Sequence, residues 1–98
     1  MLREYSLKNK KALITGGSTG LGKATAAVFA EAGADVAIAA RTIKNLQSAA
    51  EEIREHGTRI ITIPTDVSDS AQVDAMVAKA TEEFGQVDIL VNAAALSA

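Results

Sequence analysis

The chain has 98 residues, 48% of them apolar and 22% charged, with a net charge of −2 and no cysteine. That balance describes one small globular domain and excludes a disordered segment, a basic surface for nucleic acid or membranes, disulfides and thiolate metal sites. The charged start, MLREYSLKNKK, lacks the apolar centre of a signal peptide, and no apolar run approaches the roughly 20 residues of a membrane span, so the expected location is cytoplasmic.

Strand-like and helix-like segments alternate. KALIT (Lys11 to Thr15) is a short apolar run that stops at glycine and reads as a buried strand. A helix follows, with Leu21, Ala24, Val28 and Ala32, flanked by Thr25 and Phe29, as its expected inward stripe. Gly33 ends it where a left-handed backbone is needed. DVAIAA (Asp35 to Ala40) is the second strand. Thr42 can cap a second helix whose inward face carries Leu46, Ala50 and Ile53, closed by Gly57. RIITI (Arg59 to Ile63) is the third strand, stopped by Pro64, which has no N–H for a sheet ladder. Ser68 or Asp69 caps a third helix, and Asp69 with Gln72 has the spacing of a capping box. Its stripe is Val73, Met76, Val77, Ala80 and Phe84, and Gly85 ends it. VDILVNA (Val87 to Ala93) is the fourth strand.

The pattern is β-α-β-α-β-α-β. Strands joined by helical crossovers run parallel with right-handed connections, and strands covered on both faces are apolar throughout. The expected architecture is a doubly wound α/β sheet of Rossmann type. In such sheets ligands sit beyond the carboxyl ends of the strands, where strand order reverses.

The loop after the first strand, TGGSTGLGKA, carries four glycines in seven residues and leads straight into a helix. Its backbone can approach a ligand closely, and the helix that follows aims unpaired N–H groups and a partial positive charge at an anion. The alternative is a glycine-rich turn that only packs the helix onto the sheet. Two phosphate loops fit in part. Gly17, Gly22 and Lys23 satisfy the P-loop of nucleotide triphosphatases, but Ala24 stands where a magnesium-binding hydroxyl belongs. Gly20 and Gly22 satisfy the dinucleotide fingerprint G-x-G-x-x-G, but Thr25 replaces its last glycine.

A third pattern, T-G-x-x-x-G-x-G, fits at Thr15, Gly16, Gly20 and Gly22. With TDV (Thr65 to Val67) after the third strand and DILVNAAA (Asp88 to Ala95) at the fourth, the sequence resembles the short-chain dehydrogenase/reductase family from Lys11 to Ala95. The resemblance implies strand order 3-2-1-4. It implies that residues 1–98 form the N-terminal part of a single NADP-binding domain, without the catalytic second half. The implied activity is hydride transfer between NADP(H) and a carbonyl or alcohol. A 3-oxoacyl or enoyl thioester is a candidate substrate, since NAAA resembles a segment of enoyl- and dienoyl-thioester reductases. A non-catalytic dinucleotide-binding module or redox sensor is the alternative, and a P-loop NTPase a remote one.

Carried over by resemblance, Gly16, Gly20 and Gly22 admit the coenzyme, and Ser18, Thr19 and Leu21 bond its adenosine ribose and phosphates. Arg41 stands at the end of the second strand, where an NAD-binding domain puts a carboxylate for the ribose 2′-hydroxyl. A guanidinium there can bind a 2′-phosphate bidentately, which points to NADP. Asp66 is expected to accept from the adenine amino group, with Val67 in the adenine pocket. Asn92, Ala93 and Ala94 would line the floor under the coenzyme. Ala93 and Ala95 depart from the family's Asn and Gly in its N-N-A-G segment.

His56 reads as a helix C-terminal residue, Met76 as core, and Glu51, Glu52 and Glu55 as a solvated face. The family's Tyr-x-x-x-Lys is absent: Tyr5 is the only tyrosine, and Asn9 stands four residues after it. No catalytic residue is therefore assigned. The partners expected are a small-molecule substrate of a longer protein, no nucleic acid and no membrane. The fourth strand, with no fifth beside it, is an apolar edge through which the chain is expected to self-associate as a homo-oligomer.

Overall fold

Four strands, β1 (Lys11–Thr15), β2 (Asp35–Ala40), β3 (Ile60–Pro64) and β4 (Ile89–Asn92), alternate with three helices, α1 (Gly20–Glu31), α2 (Ile43–Ile53) and α3 (Ser70–Phe84). The computed structural model describes residues 7–54 and 58–93. Every neighbouring strand pair is parallel and the sheet order is β3-β2-β1-β4, as the family resemblance implies. Crossovers reverse direction at β1, so the crevice between the loops after β1 and β4 is the topological switch point.

The alternation of β2 explains the two layers. Val36 and Ile38 point to one face and pack with Ile14, Ile60 and the inward residues of α1 and α2. Ala37 and Ala39 point to the other and pack with Leu13, Ile63 and Met76, Ala80 and Phe84 of α3. All four of these β2 side chains are fully buried. An isoleucine at such a position contributes about 1.5–3 kcal/mol through burial alone.

Several local expectations change. On α1 the sheet-facing residues are Gly22, Ala26 and Ala30, while Leu21 and Val28 of the predicted stripe are 54% and 59% exposed and Ala24 is also exposed. The small residues win the inward face because α1 lies close to the loop and sheet beneath it. On α2 the expected face holds, with Ala49 added to Leu46, Ala50 and Ile53. Thr42 is its N-cap residue but makes no side-chain capping bond. Gly57, His56 and Glu55 lie outside the described residues. β3 begins at Ile60 and includes Pro64, which pairs with Ala40 at the end of an edge strand, a position proline tolerates. On α3, Val77 of the predicted stripe is exposed. β4 is shorter than expected and is not covered on both faces: Leu90, in register with Leu13, is 62% exposed.

The amino ends of the strands are knit by charge. Lys11 Nζ pairs with Asp35 Oδ2 at 2.6 Å, and Asp35 Oδ1 accepts from the Arg59 backbone N–H at 3.0 Å. The Arg59 guanidinium bonds the Glu83 carbonyl and carboxylate at 2.7 and 2.8 Å and lies over the Phe84 ring. Burial pushes the Asp35 carboxyl up, but the Lys11 and Arg59 hydrogen bonds and charges outweigh it and hold the group below 3.8. A carboxyl depressed in the folded state stabilises the fold above its unfolded value and loses that contribution as pH falls through the folded one. Equilibrium unfolding across pH should therefore show stability declining below about 3.8, the ordinary value of this group. Asp35→Asn should lower stability at neutral pH and flatten that acid decline.

Candidate functional site

The loop between β1 and α1 is shaped by contacts only glycine permits. Gly16 and Gly20 have φ of 72° and 55°, in the left-handed region. A Cβ on Gly22 would sit 1.8 Å from the Gly16 carbonyl oxygen, so the first turn of α1 rests directly on the loop backbone. A Cβ on Gly17 would meet Ile38 Cγ2 at 2.7 Å. Gly17 therefore belongs to the machinery of this loop and not only to the P-loop fragment; its requirement is set by the neighbouring strand and has no signal in local spacing. The Gly16 N–H donates to the Ala39 carbonyl at 2.7 Å, tying the loop to the end of β2.

The three helix N-termini differ in how they are closed. Asp69 seals α3, accepting from the N–H groups of Ala71 and Gln72. Thr19, the N-cap residue of α1, makes no side-chain capping bond, and the first intrahelical bond runs from Lys23 N–H to Thr19 carbonyl at 3.3 Å. The N–H groups ahead of Lys23 therefore have no carbonyl in the helix to donate to, and they lie where an anion fits. Thr19 and Leu21 are exposed beside them, and Ser18 is half-exposed or less. Gly20 has nothing within 4 Å of where a Cβ would stand, so the approach is open. A diphosphate suits this cradle by charge and by the donors offered.

The other predicted residues ring the same end of the sheet. Arg41 follows β2 directly, exposed and without an ion pair among the described residues. Beyond β3, Thr65 N–H bonds the Ala40 carbonyl at 2.8 Å, which sets Asp66 next to the end of β2. Hydrogen bonds from the Ser68 side chain and backbone, with the Arg41 charge adding to them, hold the Asp66 carboxyl below its usual range. Asp66 is thus ionised at neutral pH and electrostatically linked to Arg41. Val67 is exposed beside it. On the far side of β1, Thr15 Oγ1 donates to Asn92 Oδ1 at 2.8 Å. This bond fixes the Asn92 amide, leaving its NH2 to face elsewhere; the in-register pairing of Thr15 with Asn92 is the feature that joins them. Ala93 is buried directly after β4. Ala94 and Tyr5 lie outside the described residues.

The P-loop fragment finds no support in this geometry. Lys23 Nζ is directed to Glu52 of α2 at 3.2 Å, and the Ala24 side chain has no hydroxyl for a metal. Among the described residues no cluster of three or more His, Asp or Glu side chains could hold a metal ion. No helix there is long and apolar enough to cross a membrane.

Residues 10–98 match the profile of the short chain dehydrogenases. The chain belongs to that family. It is 46% identical over 88 residues to glycine betaine reductase ATRR of Emericella nidulans, a match covering 90% of this chain and 7% of that protein. It is 46% identical over 97 residues to a probable 2,4-dienoyl-CoA reductase of Caenorhabditis elegans, covering 97% of this chain and 31% of that one. Among solved structures it superposes on L-sorbose reductase from Gluconobacter frateurii, complexed with NADPH and L-sorbose, at a TM-score of 0.84 and 38% identity, covering 89% of this chain and 34% of that one. The chain thus spans about a third or less of the length of these relatives. Family members are nicotinamide-dependent oxidoreductases, and the parallel sheet of order β3-β2-β1-β4 described above is that of a short chain dehydrogenase fold.

Two glycine substitutions separate packing from backbone strain. Gly22→Ala should lower the free energy of unfolding by about 3 kcal/mol, because backbone must move to relieve the contact. Gly20→Ala meets no neighbour and should cost only about 1–2 kcal/mol, the price of a left-handed alanine. Urea denaturation of the two variants measures the difference, and equal losses would contradict the packing described here.

Proposed function

We propose that the chain binds NADP(H) across the carboxyl ends of β1, β2 and β3 and serves as the coenzyme platform of a carbonyl reductase or alcohol dehydrogenase. The observation that carries this reading is the open N-terminus of α1, with its glycine cradle, facing the same rim as an exposed arginine. When bound, the coenzyme supplies hydride transfer at its nicotinamide. The roles of the chain's own residues follow from where they stand. Gly16, Gly20 and Gly22 let the backbone meet the diphosphate. Ser18, Thr19 and Leu21 offer side-chain and main-chain groups to the phosphates and adenosine ribose. Asp66 accepts from the adenine amino group and Val67 covers the ring. Asn92, held by Thr15, and Ala93 line the floor toward the nicotinamide half.

Arg41 carries the preference for NADP over NAD. β2 ends at Ala40 and Arg41 follows it, so neither of these two positions carries a carboxylate to repel a 2′-phosphate, and the guanidinium has two parallel donors for it. A 3-oxoacyl or enoyl thioester substrate is in keeping with the relatives, which include a probable 2,4-dienoyl-CoA reductase. The exposed Leu90 on β4 also supports self-association through that strand.

Titration of the chain with NADPH and NADH tests the assignment. NADPH should bind about ten- to a hundredfold more tightly, the worth of one charge-assisted contact of about 1.5–3 kcal/mol. Arg41→Ala should bring the two affinities together, and an unchanged ratio would remove Arg41 from the site. Size-exclusion chromatography checks the β4 surface: species larger than a monomer are expected, and a single compact monomer would count against it.

A further inference from the structure

The segment between β3 and α3 is closed on itself by side chains. The Asp66 N–H donates to Gln72 Oε1 at 2.8 Å. Gln72 Nε2 donates to Asp69 Oδ2 at 3.3 Å, and the Asp69 N–H donates back to the Asp66 carbonyl at 3.0 Å. Ser68 N–H and Oγ both donate to Asp66 Oδ1, at 2.9 and 2.6 Å. Asp66 Oδ2 makes no hydrogen bond among the described residues. The carboxylate is thus anchored by one oxygen while the other stays available as an acceptor.

The capping box expected from the sequence would have sent Gln72 Oε1 to the Asp69 N–H. It goes to Asp66 instead. The helix does not need it, because Asp69 already accepts from the Ala71 and Gln72 N–H groups at 3.0 and 3.3 Å. Gln72 is exposed, so packing does not explain its conformation. Its side chain spans the turn and fixes the main chain of the one residue there that keeps a free charged oxygen.

We infer that Gln72 is a positioning residue for base recognition: by holding the Asp66 main chain, its side-chain amide aims Asp66 Oδ2 at the exocyclic amino group of a bound adenine. This rests on the reading that Asp66 meets the adenine. An amino group donates to a carboxylate, whereas the 6-oxo group of hypoxanthine presents a second acceptor and is repelled. A carboxylate held in one orientation separates the two bases sharply; one free to rotate with its loop does not.

The test is to titrate the chain with NADPH and with its hypoxanthine analogue, in the wild type, Gln72→Leu and Asp66→Ala. The wild type should prefer the adenine coenzyme about tenfold or more, as expected for a hydrogen bond to a charged acceptor. Gln72→Leu should reduce that preference to about threefold or less, through weaker NADPH binding and an affinity for the analogue that is kept or raised. A preference kept at its wild-type value in Gln72→Leu but lost in Asp66→Ala overturns the role of Gln72 alone. Equal weakening toward both coenzymes also overturns it, since that is what general loosening of the turn would produce. A preference that survives Asp66→Ala overturns the underlying reading of Asp66 itself.

Discussion

The contact on which the carboxyl end of the sheet depends is the one between Gly22 and the Gly16 carbonyl. With no room for even a methyl group there, the first turn of α1 lies against the backbone that has just left β1. That closeness turns the chain sharply enough to place the helix N-terminus over the strand end. Gly16 and Gly20 on this turn both take positive φ. The amides at the start of α1 are left without a side-chain cap, in a loop that carries no charged side chain. Everything placed around it, Arg41 after β2, Asp66 after β3 and Asn92 at the end of β4, arrives by the register of parallel strands whose carboxyl ends share one rim.

The two ends of the sheet divide the labour. The amino end is closed by ion pairs and hydrogen bonds among Lys11, Asp35, Arg59, Glu83 and Asp88, with Phe84 beneath two of the cations. The carboxyl end leaves polar groups exposed: the α1 amides, the Arg41 guanidinium and one oxygen of Asp66. The charged contacts that close one end are therefore absent from the other, and the strands join the two. The Thr15–Asn92 bond is an exception, since it ties two strands and orients a rim side chain at once.

The order of elements was legible in the sequence because short apolar runs alternate with longer helical stretches that have polar starts, and Gly16 and Pro64 stop two of the runs. The rim was legible too, since motifs at strand ends fall together whenever the strands are parallel. The inward face of α1 was not. Leu21, Ala24 and Val28 form a periodic apolar stripe, yet the sheet takes the smaller stripe of Gly22, Ala26 and Ala30. Hydrophobic periodicity ranks residues by apolarity, while close packing of helix on loop selects by size, and here the two criteria disagree. Gly17 and Gln72 were misread for a related reason. The first is constrained by Ile38 on another strand and the second by Asp66 six residues back, and neither distance is visible in a local pattern.

Ala37 and Ala39 show how far such a constraint reaches. These two buried methyl groups set how near α3 lies to the sheet, and α3 carries at its head the turn that holds Asp66. A heavier side chain at either site would lift the helix like a shim under a hinge and carry that turn with it. A change deep in the hydrophobic layer would then be felt at the exposed rim of the sheet, both through the helix above and through the strand pairing that sets Ala39 beside Ile63.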